Sequence, residues 1–374
     1  MVTLRVIVDS VLEGSPRGVA RYTEEITRAL IATAPQDCDV EGIVAASTDA
    51  EYGELRRRLP GLAGLHKSAL ARRELYAAWQ HGLTTVPLRG MIHSPTLLAP
   101  LRAHDREARP GDQVVVTIHD ATPWTSPDSA DRSSWQRAMA KRAAKHADAI
   151  VVPTHAVAEE LEPHLDLGHR VRVIGGAPSL RLPANREAVA RRLGLPSAYL
   201  LAMAGLQPHK ALDALLAALA LPGVPDIPLV LAGVPTGPRP LGAVLAEAGV
   251  PDGRVLSLGL LTDEELAVAM AGAVAFVQPS VAEGFGLSVL EAFSLGTPVL
   301  HSDVPALLEV TDGAGVAVSR EPRASYPERL ADAISATVVD PVLLERLRVR
   351  GRDRAKAFHW RDSAEKVWQL HADL

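Results

Sequence analysis

The sequence predicts an α/β chain built from two doubly wound halves, each a mostly parallel sheet covered by helices. Three observations carry this. The chain has 374 residues, more than one ordinary hydrophobic core accommodates and suited to two domains. Short, continuously apolar runs alternate with helical stretches, as strands buried on both faces and joined by crossover helices do. The alternation then halts at Gly175-Gly-Ala-Pro178 and Leu182-Pro-Ala-Asn185, a linker-like stretch, and starts again.

Residues 4–9 read as the first buried strand. The turn Glu13-Gly-Ser-Pro-Arg-Gly18 follows, then a helix with apolar positions Tyr22, Ile26, Ala29 and Leu30 at helical spacing. Residues 42–46, 114–118, 150–152 and 171–174 read as further strands, the third ending at His119-Asp120 and the fourth at Thr154. In the second half, 199–203 reads as a strand and 211–219 as a helix rich in good helix formers. Residues 228–233, 254–258, 273–277 and 298–300 follow as strands with helices between them, and 360–374 reads as a last helix. The expected domains are Rossmann-like, over 1–178 and 179–357, with 358–374 as a terminal helix.

Composition bounds the function. Hydrophobic residues at 47% and charged residues at 22% place the chain among globular proteins. A net charge of −5 argues against a basic nucleic-acid-binding face. The single cysteine, Cys38, excludes an internal disulfide and a cysteine-based metal site. Met1-Val-Thr-Leu-Arg5 enters a strand without a signal-peptide layout, and no uncharged run reaches the roughly 18–20 residues that span a bilayer. The expectation is a cytoplasmic protein, with peripheral membrane contact left open.

The most specific stretch is Glu283-Gly-Phe-Gly-Leu-Ser-Val-Leu-Glu291. Two carboxylates flank a Gly-x-Gly turn directly after the strand at 273–277. The glycines let backbone approach a ligand closely. The helix expected from Leu287 presents N–H groups that attract phosphate. Carboxylates accept hydrogen bonds from hydroxyls. Together these suggest a sugar linked to a phosphate.

This stretch, with Phe276-Val-Gln-Pro-Ser280 before it and Gly296-Thr-Pro-Val299 after it, resembles the signature of the retaining nucleotide-sugar glycosyltransferases of family 4. Ser288 departs from the pattern, where many members carry proline. The resemblance implies the GT-B fold, two Rossmann-like domains facing across a cleft, with the terminal helix crossing back to the first. It implies that Glu283, Gly284, Phe285, Gly286, Leu287 and Glu291 bind the donor, with Glu283 at the sugar and Glu291 on the ribose hydroxyls. Gly205-Leu-Gln-Pro-His-Lys210 resembles a second family string, so Lys210 is expected on the diphosphate as catalytic cation. His209 stands there in place of arginine, and Ala204 in place of glycine. Val-Val-Thr-Ile-His119-Asp120 resembles the family's His-Asp motif, which sends His119 to the transferred sugar; a lone histidine at a strand end is otherwise more often structural. Asp120 either orients His119 or begins the next turn. Gly18-Val-Ala-Arg-Tyr22 resembles a glycine loop near the donor phosphates, with Gly18 matched and Ala20 replacing a second glycine, a methyl expected to narrow the approach. Arg21, Tyr22, His93 and His155 are acceptor-side candidates; for Tyr22 packing is the stronger reading. Glu309 reads as structural.

Asp37-Cys-Asp39, the one Asp-x-Asp, sits in a polar loop before a strand, and no metal site is expected. The basic clusters Arg56-Arg-Arg58 and Arg72-Arg73 read as solvated faces, with an anionic membrane or lipid-linked acceptor as the other reading. The expected activity is retaining, metal-independent transfer of a hexose, mannose first, from a nucleotide sugar (GDP-mannose first) to a glycan, lipid-linked or small-molecule acceptor, without a cofactor. The alternatives are a catalytically silent binding subunit of the same fold and a sugar-nucleotide epimerase.

Overall fold

A computed structural model describes residues 2–13, 17–83, 89–126, 130–203, 205, 207–233 and 241–374. Gly14, Ser15 and Pro16 of the expected turn, and Ala204, lie outside the described residues. The chain divides into two compact units, Met1–Gly176 with His359–Leu374, and Ala177–Phe358.

The first unit holds a seven-stranded parallel sheet in the order β3-β2-β1-β4-β5-β6-β7. Its strands are β1 (Val2–Ile7), β2 (Cys38–Ala46), β3 (Gly64–Ala71), β4 (Met91–Ser94), β5 (Gln113–Thr117), β6 (Ala149–Val152) and β7 (Val171–Val173). Successive side chains of a strand point to opposite faces, so the apolar run of β5 feeds two cores. Val114 and Val116 join a cluster with Leu75, Trp79 and Met139, whereas Val115 joins one with Ile26, Leu30, Val367 and Trp368. The second cluster includes the C-terminal helix Trp360–Asp373, which packs on the helix Arg17–Ala32; Trp368 Nε1 donates to the Leu30 carbonyl at 3.3 Å.

The second unit holds a six-stranded parallel sheet in the order β10-β9-β8-β11-β12-β13. Its strands are β8 (Leu200–Met203), β9 (Leu229–Ala232), β10 (Val255–Gly259), β11 (Ala275–Gln278), β12 (Val299–Ser302) and β13 (Val316–Val318).

Three strands escape sequence reading. β3 is an edge strand with mixed burial and no apolar run, β13 is an edge strand of only three residues, and β4 is four residues long with His93 and Ser94 in the core. The first strand also ends earlier than expected, at Ile7. Asp9 opens the 3-10 turn Asp9–Leu12 and is fully buried, its carboxylate accepting the Ala45 N–H at 3.1 Å.

Candidate functional site

In the second unit the expected donor residues gather at the carboxyl ends of β8 and β11, neighbours at the point where strand order reverses. Open α/β sheets bind ligands there. After β8 the chain makes the 3-10 turn Pro208–Lys210 and passes Ala211 in the left-handed region, φ 47°, before the helix Leu212–Ala220. A non-glycine residue in that conformation costs about 1–3 kcal/mol and needs support from its surroundings. Part of that support is the Val281 N–H, which donates to the His209 carbonyl at 2.8 Å and ties the turn to the loop after β11.

The tie brings Lys210 and Glu283 together. Lys210 Nζ lies 2.7 Å from Glu283 Oε1, and the two side chains are 28% and 13% exposed. Burial pushes the Glu283 carboxyl up. The charge and hydrogen bond of Lys210, the Ser280 hydrogen bond and the charge of His209 outweigh it and hold the group below its ordinary value. Glu283 is therefore ionised at neutral pH.

Two residues to which sequence reading gave no role complete this cluster. Gln278, buried at the end of β11, donates through Nε2 to Glu283 Oε1 at 2.7 Å and to Ser280 Oγ at 2.8 Å. Ser288 Oγ donates to Gln278 Oε1 at 3.3 Å. The hydroxyl thus turns the amide so that its N–H groups face Glu283, a task proline at position 288 has no donor for. The only sequence signal for Gln278 is a polar residue closing an apolar strand.

The glycine turn then starts the helix Leu287–Leu295. Gly286 is left-handed, φ 79°, and a Cβ there would lie 2.4 Å from Leu307 Cδ2, so only glycine fits. Leu287 opens the helix, and the Val289 N–H donates to the Gly286 carbonyl at 2.9 Å, so the N–H groups of Leu287 and Ser288 precede the intrahelical ladder. Gly284 is buried in the turn. The Phe285 ring packs edge-on against Phe358, centroids 6.0 Å apart.

Glu291 has a task that sequence reading did not anticipate. It is 1% exposed. Its Oε1 accepts from Ser179 N–H at 2.9 Å and Ser179 Oγ at 3.1 Å, and Oε2 accepts from Leu180 N–H at 2.8 Å. A carboxylate offers about four lone-pair sites and these donors take three, so a pair of ribose hydroxyls would have to displace at least one of them.

In the first unit His119 follows β5 and is half-buried. Its Nε2 lies 2.8 Å from the Pro95 carbonyl, which assigns the proton to Nε2 and leaves Nδ1 as an acceptor. Burial lowers its pKa against the opposing pull of Pro95 and Asp120. Tyr22, buried, meets the His119 ring edge-on at 4.8 Å and Trp360 at 5.5 Å. Asp120 accepts the Thr122 N–H at 2.9 Å, so it begins the next turn.

Of the other first-unit candidates, Gly18, Ala20 and His93 stand otherwise than expected. Gly18 lies in the first turn of the helix Arg17–Ala32, not in a loop, and a Cβ on it would meet nothing within 4 Å. Ala20 is 4% exposed, so its methyl packs inside the unit rather than lining an approach path. Arg21 is half-buried on the same helix, within electrostatic reach of Glu25. His93 is a core residue of β4, fully buried, with neither ring nitrogen hydrogen-bonded among the described residues; burial pushes its pKa down to about 3. His155 opens the exposed start of the helix His155–Leu161, capped by Thr154. The basic clusters are partly internal: Arg58 pairs with Glu24 and Arg72 with Asp9. Among the described residues no cluster of three or more His, Cys, Asp or Glu could hold a metal ion, and no helix is long and apolar enough to cross a membrane.

Comparison with known proteins matches this geometry to a family. The model described as Glycosyltransferase Family 4 matches residues 16–202, and the model described as Glycosyl transferases group 1 matches residues 186–354. The chain is 34% identical over 188 residues to the O-antigen chain mannosyltransferase B of Escherichia coli, covering 48% of this chain and 47% of that protein. It is also 34% identical over 235 residues to the D-inositol 3-phosphate glycosyltransferase of Mycolicibacterium gilvum, covering 59% and 51%. The chain thus spans about half the length of these curated relatives. The crystal structure of an Anabaena protein in complex with UDP-glucose superposes with a TM-score of 0.74 at 17% identity, covering 100% of both chains. At that identity the likeness shows a shared GT-B fold.

Proposed function

The chain belongs to glycosyltransferase family 4, and from that premise we propose that it transfers a hexose from a nucleotide-sugar donor to a hydroxyl of a glycan, lipid-linked or small-molecule acceptor, with retention and without a metal. The observation that carries this is the Lys210–Glu283 pair, 2.7 Å apart beside the glycine-led start of the helix Leu287–Leu295. In the proposed reaction Lys210 and the helix N-terminus bind the diphosphate and stabilise the charge that grows on it as the sugar leaves. Glu283 accepts hydrogen bonds from sugar hydroxyls, and Glu291 contributes on the ribose side. His119, neutral with Nδ1 available, makes a polar contact to the transferred sugar. The leaving phosphate takes the acceptor proton as the acceptor attacks the same face, so the protein supplies position and charge rather than a nucleophile.

GDP-mannose is the first donor proposed. The mannosyltransferase name of the Escherichia coli relative supports it, while the UDP-glucose in the Anabaena structure supports UDP-sugars as the alternative. The substitutions His209 and Ala204 favour the silent binding subunit as the second reading, because they remove a cation and a glycine from the resembled string. Thermal shift with GDP, GDP-mannose, UDP and UDP-glucose ranks the donors, since a ligand of the native state raises stability. Slow donor hydrolysis by the purified chain supports the enzyme; tight donor binding without any turnover supports the silent subunit.

A further inference from the structure

A second polar cluster in the first unit lies outside the residues used above. Glu13 follows the turn Asp9–Leu12 at the carboxyl end of β1. Arg72 begins the helix Arg72–Gln80 at the carboxyl end of β3. Trp135 lies in the helix Ala130–His146, in the crossover that follows β5. Three segments distant in sequence thus meet on the ligand-binding edge of one parallel sheet.

Their contacts are specific. Arg72 Nε donates to Asp9 Oδ2 at 2.7 Å, and Asp9 is held in the interior. Tyr76, one helical turn on from Arg72, donates through Oη to Glu13 Oε1 at 3.0 Å. The Tyr76 ring stacks on Trp135, centroids 4.9 Å apart and planes 27° apart. Trp135 Nε1 has no hydrogen-bond partner among the described residues. Both rings rest on the hydrophobic core on one side yet are only half-buried, as is Glu13, and the Arg72 side chain is 34% exposed.

This is sugar-binding chemistry. Aromatic faces are negative and attract the positively polarised C–H groups on one face of a pyranose or cyclitol ring. Glu13 accepts hydrogen bonds from ring hydroxyls, and the Arg72 guanidinium donates them. Two carboxylates against one guanidinium leave one net negative charge, and Arg72 is already neutralised by Asp9. A phosphate brought beside Glu13 meets like charge; a neutral or amino-bearing ring does not.

We propose that Glu13, Arg72, Tyr76 and Trp135 form the acceptor subsite, and that it takes a hydroxyl-rich six-membered ring without phosphate, a proposal that rests on the glycosyltransferase reading above. The test titrates methyl α-mannopyranoside, glucosamine and mannose 6-phosphate into the full chain, followed by saturation-transfer NMR, with GDP and UDP binding measured by calorimetry on the same samples. The first two sugars bind, and the phosphorylated one binds about tenfold or more weakly, the scale of a like-charge penalty. Trp135→Ala and Glu13→Gln each weaken the neutral sugar about tenfold, the scale of one lost ring or charged contact, and leave nucleotide affinity unchanged. Glu13→Gln also narrows the gap to mannose 6-phosphate. Tyr76→Phe keeps the ring and removes the Oη–Glu13 bond; it decides the matter with Glu13→Gln if Trp135→Ala does not fold. No saturable sugar binding to the wild type, undiminished binding in the folded variants, or a preference for the phosphorylated sugar overturns the subsite. Absence of GDP and UDP binding to the wild type would instead overturn the glycosyltransferase reading itself.

Discussion

Lys210 and Glu283, 73 positions apart in sequence, form an ion pair with Nζ 2.7 Å from Oε1, and the lysine is what keeps the buried carboxylate charged. Lys210→Ala leaves burial, the largest effect, opposed only by the Ser280 hydrogen bond and the His209 charge, so the Glu283 pKa rises. The wild-type carboxyl, depressed in the folded state, contributes stability above its unfolded pKa that is lost as pH falls through the lower folded value. In the variant the sign reverses: a raised folded pKa costs stability at neutral pH and returns it as pH falls into the carboxylate range. Melting temperature against pH should show this inversion, and turnover should drop about a hundredfold or more with loss of the charge stabiliser. An unchanged pH profile with full turnover would remove Lys210 from both roles.

Glu291→Gln tests a different arrangement. The amide can accept the Ser179 or the Leu180 donors with one oxygen but presents N–H groups to the others. Unfolding stability should fall by roughly 2 kcal/mol, the scale for charge-assisted bonds lost inside a protein. Nucleotide affinity should fall with it if ribose shares the carboxylate. A loss of nucleotide affinity with an unaltered denaturation midpoint would mean that the Ser179–Leu180 contacts contribute nothing to stability.

The relay from Ser288 through Gln278 to Glu283 predicts a graded series. Ser288→Ala frees the Gln278 amide and should lower kcat about three- to tenfold, the worth of one net hydrogen bond of about 1 kcal/mol. Gln278→Leu should lower it further. Free nucleoside diphosphate should bind both variants as it binds wild type, because the relay ends on the sugar-side carboxylate. Equal losses of nucleotide affinity and kcat would show a general structural defect instead.

His93 makes the first unit acid-sensitive. Its folded pKa of about 3 lies below the ordinary 6.5, so its contribution is complete above 6.5 and is lost as pH falls toward 3. One proton taken up on unfolding corresponds to a slope of about 1.4 kcal/mol per pH unit across that window. His371, edge-on to it at 5.7 Å and also lowered, by burial first and then by the charges of His93 and Arg106, acts in the same direction. His93→Leu should reduce the slope of stability against pH by about one proton. The same slope in the variant would mean that His93 does not titrate on unfolding.

Much of the backbone geometry around the proposed donor side was legible in the chain itself. The Gly-x-Gly turn between Glu283 and Glu291 carries its own explanation, since Gly286 needs a left-handed backbone and the helix after it needs a start. The central strands were legible for the same local reason. β5, β6, β8 and β9 are buried along their length, so all their residues but Gln113 and Thr117 at the ends of β5 are apolar and the runs stand out. Edge strand β3 is partly wetted and leaves no such run, and β13, with three residues, is too short to stand out.

What only tertiary structure decided are the partners of polar groups, because a hydrogen bond joins residues without regard to their separation in sequence. The 112 positions between Ser179 and Glu291 hide the fact that a carboxylate expected to face ribose holds the chain at the entrance to its own unit. The string that suggested a phosphate loop at Gly18 says nothing of the helix already begun there, and the neighbours Ile92 and Ser94 say nothing of His93 being sealed in a core. Asp9, Arg72, Tyr76 and Trp135 have no common motif at all. They meet because parallel strands deliver the residues that follow them to one edge of the sheet. Local sequence specifies where the backbone must turn and which faces must be dry; the folded sheet alone specifies which charges and rings those turns bring together.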